Sequence, residues 1–124
     1  MYSLDTLCPA LGEDRLRLMV AAFYQRVQRD ELIGPMYPPD DWASAEQRLA
    51  DFIVYRLGGP ATYLETRGHP RLRGRHMPFA IGEAERDRWL LLMADAMRET
   101  HIPTEAATPL LDFFAQVADA MRNR

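Results

Sequence analysis

The stretch DRLRLMVAAFYQRVQR, residues 14–29, decides the fold class of this chain of 124 residues. Apolar side chains recur in it at steps of three and four residues, which is the period of one buried face of an α-helix. The positions concerned are Leu16, Val20, Phe23, Tyr24 and Val27. No segment of the sequence alternates clearly at period two, so the pattern predicts an all-α protein.

Three further segments carry the same helical period. The pattern predicts helices over residues 42–57, over 82–100, and from residue 104 or 108 to 122. Their inward faces are predicted at Trp42, Ala45, Leu49, Phe52 and Ile53; at Trp89, Met93, Ala96 and Met97; and at Leu110, Leu111, Phe114, Val117, Ala118 and Met121. Asp41 is a favourable N-cap for the first of these, and the Gly-Gly-Pro run at 58–60 ends it with a left-handed cap followed by proline. The sequence therefore indicates four substantial helices and some short ones, joined by irregular corners.

The length and composition fit a single domain spanning residues 1–124, with 48% apolar residues spread along the chain. Apolar runs such as the one at 89–94 are far too short to span a bilayer. The N-terminus has no basic patch followed by an apolar stretch, so we expect a cytoplasmic protein without a membrane partner. The net charge of −3 argues against a nucleic-acid partner, and the single Cys8 excludes an internal disulfide framework.

The segment RGHPRLRGRHMPF, residues 67–79, holds two of the three histidines and four arginines. A histidine among arginines is more often structural or exposed than a ligand, and the chain lacks the residue spacings of a zinc site or a serine hydrolase. Haem, however, needs one imidazole, a flat apolar slot and polar partners for its propionates, and this segment lies between two aromatic-rich helices. The spacing alone leaves the structural and the haem interpretations open. A short helix is expected to begin at Pro70 and to end before Pro78.

Seven short motifs follow one another in order along the chain. They are FY at 23–24, MYP at 36–38, DD at 40–41 leading into AEQRL at 45–49, GGP at 58–60 with Tyr63, GHPRLR at 68–73, RHMPF at 75–79, and ERD at 85–87 with WL at 89–90. In this order and spacing they resemble the truncated haemoglobins, and within these the second, oxygen-type group. The resemblance covers the chain from about residue 18 to the end of the last helix. It departs near the start, where Gly12 stands alone instead of the usual glycine pair, and this leaves the geometry of the first corner open.

The resemblance implies an all-α, two-over-two helical sandwich, a shortened globin that holds haem b between its helix pairs. It implies that His76 binds the haem iron through a neutral imidazole nitrogen. On the opposite, distal face it implies hydrogen-bond donation to dioxygen by Tyr24, Tyr37 and Trp89. Ala45 stands where many globins have a histidine. Without the family match, core packing would be the preferred interpretation of these aromatic side chains.

Further contacts with the haem follow from the same resemblance. They are implied for Arg48, Leu49, Phe52, Tyr63, His69, Leu72, Arg75, Met77, Phe79 and Met93. For the apolar members of this set, cofactor contact and core packing coincide. The polar members are expected at the propionates, although His69 fits a helix cap or a surface position equally well. His101 is interpreted as a C-terminal cap residue without a chemical role.

The resemblance implies a protein that binds dioxygen and other diatomic ligands and releases them slowly. Slow release suits redox chemistry, such as peroxide reduction or nitric oxide detoxification, or ligand-linked sensing. The sequence contains no flavin or nicotinamide domain, so an enzymatic role would require a separate reductase, and whether the chain is an enzyme stays open. The alternative is a haem-free helical interaction module, which would need neither His76 nor the distal aromatic residues. The chain is expected to be a monomer or a homodimer.

Replacing the expected iron ligand tests the central inference from the sequence. His76→Ala is expected to lose haem or to bind it much more weakly, because no other imidazole is placed by the resemblance on the iron. The intensity of the near-ultraviolet haem band during titration with haemin measures this loss. His101→Ala serves as the control and should bind haem like the wild type. Wild-type haem retention by the His76→Ala protein would refute the assignment.

Overall fold

Five α-helices make up most of residues 3–60 and 81–123, the part of the chain that the computed structural model describes. They are α1 (Leu4–Leu11), α2 (Glu13–Gln28), α3 (Trp42–Arg56), α4 (Glu83–Glu99) and α5 (Thr104–Ala120), with a short 3-10 turn at Gly34–Met36. These two ranges contain no strand, and the predicted all-α class is confirmed. In the same ranges, none of the helices is long and apolar enough to cross a membrane.

Helices α2 to α5 begin and end within two residues of the predicted bounds, with the last beginning at Thr104 and not at Thr108. Helix α1 was not predicted as a separate element. It has eight residues, contains Pro9, and buries only Leu7 and Cys8. It is therefore too short for the helical period of its apolar residues to be recognised in the sequence. Its start is stabilised locally, because the Ser3 backbone N–H donates to the Thr6 hydroxyl over 3.1 Å.

Helix α2 is the centre of the packing, since it contacts α3, α4 and α1, while α4 also packs against α5. Its inward face is fully excluded from water at Leu16, Met19, Val20, Phe23 and Val27. Burying each side chain of this size contributes about 1.5–3 kcal/mol to folding. The predicted stripe is therefore the face that holds three other helices in place.

The end of α3 is closed by a pair of backbone hydrogen bonds around Gly58, whose φ is +94°. The Gly58 N–H donates to the Tyr55 carbonyl over 3.3 Å, and the Gly59 N–H donates to the Val54 carbonyl over 2.8 Å. This is the left-handed cap that the glycine pair predicted. Helix α1 lies directly against it, because a Cβ atom added to Gly58 would stand 1.8 Å from the Asp5 carbonyl oxygen.

The first corner turns at a single glycine. Gly12 has a φ of +93°, and its N–H donates to the Cys8 carbonyl over 2.8 Å. Its own carbonyl accepts the Leu16 N–H over 3.2 Å, so α1 ends and α2 begins around this one residue. One residue with positive φ is therefore sufficient at this corner, whose geometry the missing second glycine had left open.

The end of α4 uses the same cap with a histidine in the glycine position. His101 has a φ of +58°, and its N–H donates to the Arg98 carbonyl over 3.1 Å. The Ile102 N–H then donates to the Met97 carbonyl over 3.0 Å. His101 thus caps the helix through its backbone conformation, which agrees with the interpretation of this residue as a terminal one.

Gly12 and Gly58 have nearly equal φ values but different surroundings. Alanine substitutions at the two positions therefore distinguish backbone strain from steric contact. Gly12→Ala introduces a side chain where nothing lies within 4 Å of the added Cβ, so it should cost only the strain of positive φ, about 1–3 kcal/mol. Gly58→Ala adds the clash with Asp5 and should cost about 1–3 kcal/mol more as α1 is displaced. Urea unfolding monitored by circular dichroism measures both. Equal losses of stability in the two variants would contradict the direct packing of α1 on the end of α3.

Candidate functional site

A cavity of about 260 Å³ lies between α2, α3, the start of α4 and the end of α5. Its lining is mainly aromatic and aliphatic. Seven of the residues that the sequence analysis selected contribute to it, namely Tyr24, Tyr37, Ala45, Arg48, Leu49, Phe52 and Trp89. Three helices and one corner therefore bring these residues to a common space, although they span 66 positions of sequence, from 24 to 89.

The other selected residues fall into two groups. Met93 is fully buried in α4 and is not among the described residues that line the cavity. Seven selected residues lie outside the ranges that the structure describes, namely Tyr63, His69, Leu72, Arg75, His76, Met77 and Phe79. Their roles remain the expectations that the resemblance provides.

Several lining residues were not selected from the sequence. They are Ile33, Met36 and Pro38 in the corner after α2, Ile81, Glu85 and Arg86 around the start of α4, and Val117, Ala118 and Met121 at the end of α5. The last three continue the apolar face predicted for α5, so periodicity placed them inward but could not show which cavity they face. The corner residues follow no period, and only the tertiary fold places them in the wall.

The end of α5 is held against the start of α4 by reciprocal hydrogen bonds. The Ile81 N–H donates to the Asn123 side-chain oxygen over 2.9 Å, and the Asn123 N–H donates to the Ile81 carbonyl over 2.8 Å. At the same helix start, the Gly82 N–H donates to the Glu85 carboxylate over 2.7 Å. These contacts fix the part of the wall that Ile81 and Met121 provide.

Three side chains with hydrogen-bond donors meet in the cavity wall. Tyr24 comes from α2, Tyr37 from the corner before α3, and Trp89 from α4. The rings of Tyr24 and Tyr37 stand perpendicular, with centroids 5.6 Å apart. Burial raises the pKa of Tyr24 well above its ordinary value, and the neighbouring Tyr37 hydroxyl raises it further. Tyr24 therefore keeps its proton, and its ability to donate, throughout the neutral pH range.

Tyr37 hydrogen-bonds with both other members of this trio. Burial raises the pKa of Tyr37, but its hydrogen bonds with Tyr24 and Trp89 and the charge of Arg48 act in the opposite sense. The Trp89 indole N–H can only donate, so the Tyr37 oxygen accepts from it. Tyr37 thus connects the donor on α2 to the donor on α4.

Aromatic neighbours hold the three donors in position. Trp42 stacks on Tyr37 with ring centroids 5.2 Å apart and meets the edge of Tyr24 at 6.3 Å. Phe23 contacts Trp89 at 5.0 Å. The sequence placed Trp42 on the inward face of α3 but did not indicate its contact with Tyr37, which joins residues from different elements.

Two arginines contribute charge to the cavity wall. Arg48 donates to the Asp41 carboxylate over 2.9 Å and to the Ser44 hydroxyl over 2.7 Å. Asp41 stands at the predicted N-cap position of α3, but its side chain accepts from Arg48 and makes no capping hydrogen bond. Arg86, which the sequence analysis did not select, pairs with Asp119 over 3.0 Å and so joins α4 to α5. The cavity is therefore an apolar space with donors on one wall and two guanidinium groups in its lining.

Comparison with known proteins identifies the class to which this arrangement belongs. A profile of the bacterial-like globin family matches residues 6–123. The Bacillus subtilis (strain 168) protein named group 2 truncated hemoglobin YjbI is 43% identical over 88 residues, which are 71% of this chain and 66% of that protein. The crystal structure of the hemoglobin from Chloroflexus aurantiacus is 42% identical, with a TM-score of 0.86, covering 91% of this chain and 93% of that one. The truncated oxygen-avid haemoglobin from Bacillus subtilis is 36% identical, with a TM-score of 0.88, covering 94% and 98%.

The chain therefore belongs to the bacterial-like globin family. Its relatives in sequence and structure are group II truncated haemoglobins, which confirms both the resemblance and the predicted two-over-two fold. Membership of this family implies a haem iron and the binding of small ligands to it. The match to the group 2 truncated hemoglobin YjbI spans 66% of the length of that protein.

The raised pKa of Tyr24 predicts how stability depends on alkaline pH. The unfolded chain releases the tyrosine proton near pH 10, whereas the folded protein retains it to a higher pH. The stabilisation is therefore present below about pH 10 and is lost as the pH rises towards the folded-state pKa. In urea unfolding between pH 8 and 11, Tyr24→Phe should lose stability less steeply than the wild type. Parallel pH profiles for the two proteins would show that Tyr24 is not buried as described.

Proposed function

We propose that this protein binds haem b through His76 and holds dioxygen and other diatomic ligands against the hydroxyl and indole donors of Tyr24, Tyr37 and Trp89. The observation that carries the proposal is the convergence of these three donors, from three separate elements, on one apolar cavity. The Bacillus subtilis neighbour is a truncated oxygen-avid haemoglobin, and its similarity to this chain supports the same class of ligand here.

The described side of the cavity has the chemistry that haem requires. Leu49 and Phe52 from α3 and Val117 and Met121 from α5 supply apolar surface for a flat macrocycle. Arg48 supplies a guanidinium at the wall, where a propionate can pair with it. When bound, haem supplies an iron atom that binds diatomic ligands and shifts negative charge onto them. The resemblance to the family supports the assignment of His76 as the iron ligand.

The chain itself contributes donors to a cavity whose lining is mainly apolar. A buried hydrogen bond to a group that carries partial negative charge is worth about 1–3 kcal/mol. Tyr37 hydrogen-bonds with Tyr24 and Trp89, which supports its hydroxyl within the trio. Ala45 lines the same cavity and has no donor to offer. The trio therefore determines how tightly a diatomic ligand is held.

Slow release suits redox chemistry better than oxygen delivery. We therefore assign the protein a role in peroxide reduction or in nitric oxide detoxification, with electrons supplied by a separate reductase. Hydrogen bonds from the buried tyrosines to a bound ligand would slow its release, which supports this assignment. We place this role in the cytoplasm.

The first experiment is reconstitution with haemin, followed by stopped-flow kinetics of the ferrous protein with dioxygen, nitric oxide and peroxide. The proposal requires an intense haem band after reconstitution. It also requires that dioxygen dissociate more slowly from the wild type than from variants that lack Tyr24 or Trp89. A protein that remains colourless after haemin is added would refute the proposal and would favour a haem-free interaction module. Comparison of the three ligands then shows which reaction is fast enough to be the physiological one.

Removal of single donors tests their role. Tyr24→Phe and Trp89→Phe should each accelerate dioxygen dissociation by about 10-fold to 100-fold, because each removes a donor that holds the ligand directly or through Tyr37. Tyr55→Phe is the matched control, because it removes the same hydroxyl from a residue that is not among the described residues lining the cavity. Unchanged dissociation rates in both distal variants would show that the donors lie elsewhere.

A further inference from the structure

The position of Tyr37 depends on a corner that has little regular structure. Between α2 and α3 the chain forms one short 3-10 turn, and Tyr37 follows it with extended backbone, at φ −108° and ψ 141°. Its N–H donates to the Gly34 carbonyl over 3.2 Å. A helix would hold such a side chain through its own hydrogen-bond ladder, so here the hydroxyl needs support from elsewhere to remain aligned with Tyr24 and Trp89.

The carboxylate of Asp30 provides that support at the beginning of the corner. One of its oxygens accepts the backbone N–H groups of Leu32 and Ile33, over 3.0 and 2.9 Å. The other accepts the Arg88 guanidinium over 2.5 Å. The Asp30 side chain is only 7% exposed, so this ion pair is shielded from solvent on the side of the carboxylate. One side chain therefore joins the corner that carries Tyr37 to the residue directly before Trp89.

The corner is also folded tightly onto the end of α2. A Cβ atom added to Gly34 would lie 2.7 Å from the Val27 carbonyl oxygen, so the backbone leaves no space there for a larger residue. Burial tends to raise the pKa of Asp30, but the hydrogen bonds from Ile33, Arg88 and Leu32 outweigh it and lower the pKa. The carboxylate thus stays ionised and paired at neutral pH.

We infer that the Asp30–Arg88 ion pair is a positioning device that sets the hydrogen bond from Trp89 to Tyr37, and through it the retention of a diatomic ligand. The second half of this inference rests on the proposed function, and the first half does not. The pair connects the two elements that carry the donor and the acceptor, at the residue adjacent to Trp89. Loss of the pair frees the corner and α4 to shift relative to each other, which lengthens the hydrogen bond.

The chain contains a matched ion pair for comparison. Arg26 of α2 pairs with Glu99 at the end of α4 over 2.5 Å, so this pair also joins α2 to α4. Glu99 lies ten residues after Trp89, about 15 Å along the helix axis. Neither partner is among the described residues that line the cavity. Its removal breaks an ion pair of the same type, with a more exposed carboxylate, without touching the corner.

The test compares Asp30→Asn, Arg88→Gln and Glu99→Gln with the wild type. Asn keeps a side-chain oxygen for the Leu32 and Ile33 N–H groups but removes the charge that holds Arg88. The first readout is the Trp89 indole ¹H–¹⁵N resonance, identified by its loss in Trp89→Phe and recorded on the haem-reconstituted ferrous protein with carbon monoxide. The second is the C–O stretching frequency of the same sample, and the third is the dioxygen dissociation rate.

Asp30→Asn and Arg88→Gln should move the indole proton resonance upfield, change the C–O stretching frequency and accelerate dioxygen dissociation by about threefold to tenfold. Glu99→Gln should leave all three unchanged. An unchanged indole resonance in Arg88→Gln would overturn the inference, and so would an equal shift in Glu99→Gln. If Asp30→Asn does not fold, Arg88→Gln alone decides between these results. If the wild type takes up no haem, the proposed function fails, and the indole resonance of the haem-free protein still tests the positioning device.

Discussion

Helix α2 packs its apolar face against α3 and α4 at the same time, and the arrangement of the cavity depends on this contact. Phe23, fully buried in that face, meets Tyr24 at 5.1 Å and Trp89 at 5.0 Å between ring centroids. The buried surface that stabilises the fold is therefore continuous with the wall that presents the donors. A change that loosens α2 moves both tyrosine and tryptophan, so stability and ligand chemistry are coupled in this protein.

Polar groups are placed where the packing makes their interactions strong. The hydroxyls of Tyr24 and Tyr37 and the indole of Trp89 interact with one another inside an apolar lining, where an unpaired polar group is costly and a correctly placed one is effective. Two ion pairs lie around this cluster: Asp30 pairs with Arg88, the residue before Trp89, and Arg48 in the cavity lining pairs with Asp41. Trp42 completes the support by stacking on Tyr37. The site thus has a fixed geometry before any ligand binds.

The residues of the site were predicted from sequence to different degrees. Residues on helices with a clear period, such as Tyr24, Phe52 and Trp89, were placed inward correctly, because burial of a helix face leaves a pattern that can be counted. Ile33 and Met36 were missed, since a corner buries side chains through contacts with distant elements and leaves no period. Helix α1 was missed for a related reason: eight residues with two buried positions are too few to show a face.

By itself, the amino-acid sequence determined the all-α class, the four long helices, and the family to which the chain belongs, because apolar periodicity and ordered motifs are local properties of the chain. Only the tertiary structure decided that Tyr37 hydrogen-bonds with Tyr24 and Trp89, that Asp30 joins the Tyr37 corner to α4, and that one glycine suffices at the first corner. The physical reason is that these features depend on distances between elements far apart in sequence. Such distances are set by packing, and a hydrogen bond is sensitive to changes of a few tenths of an ångström.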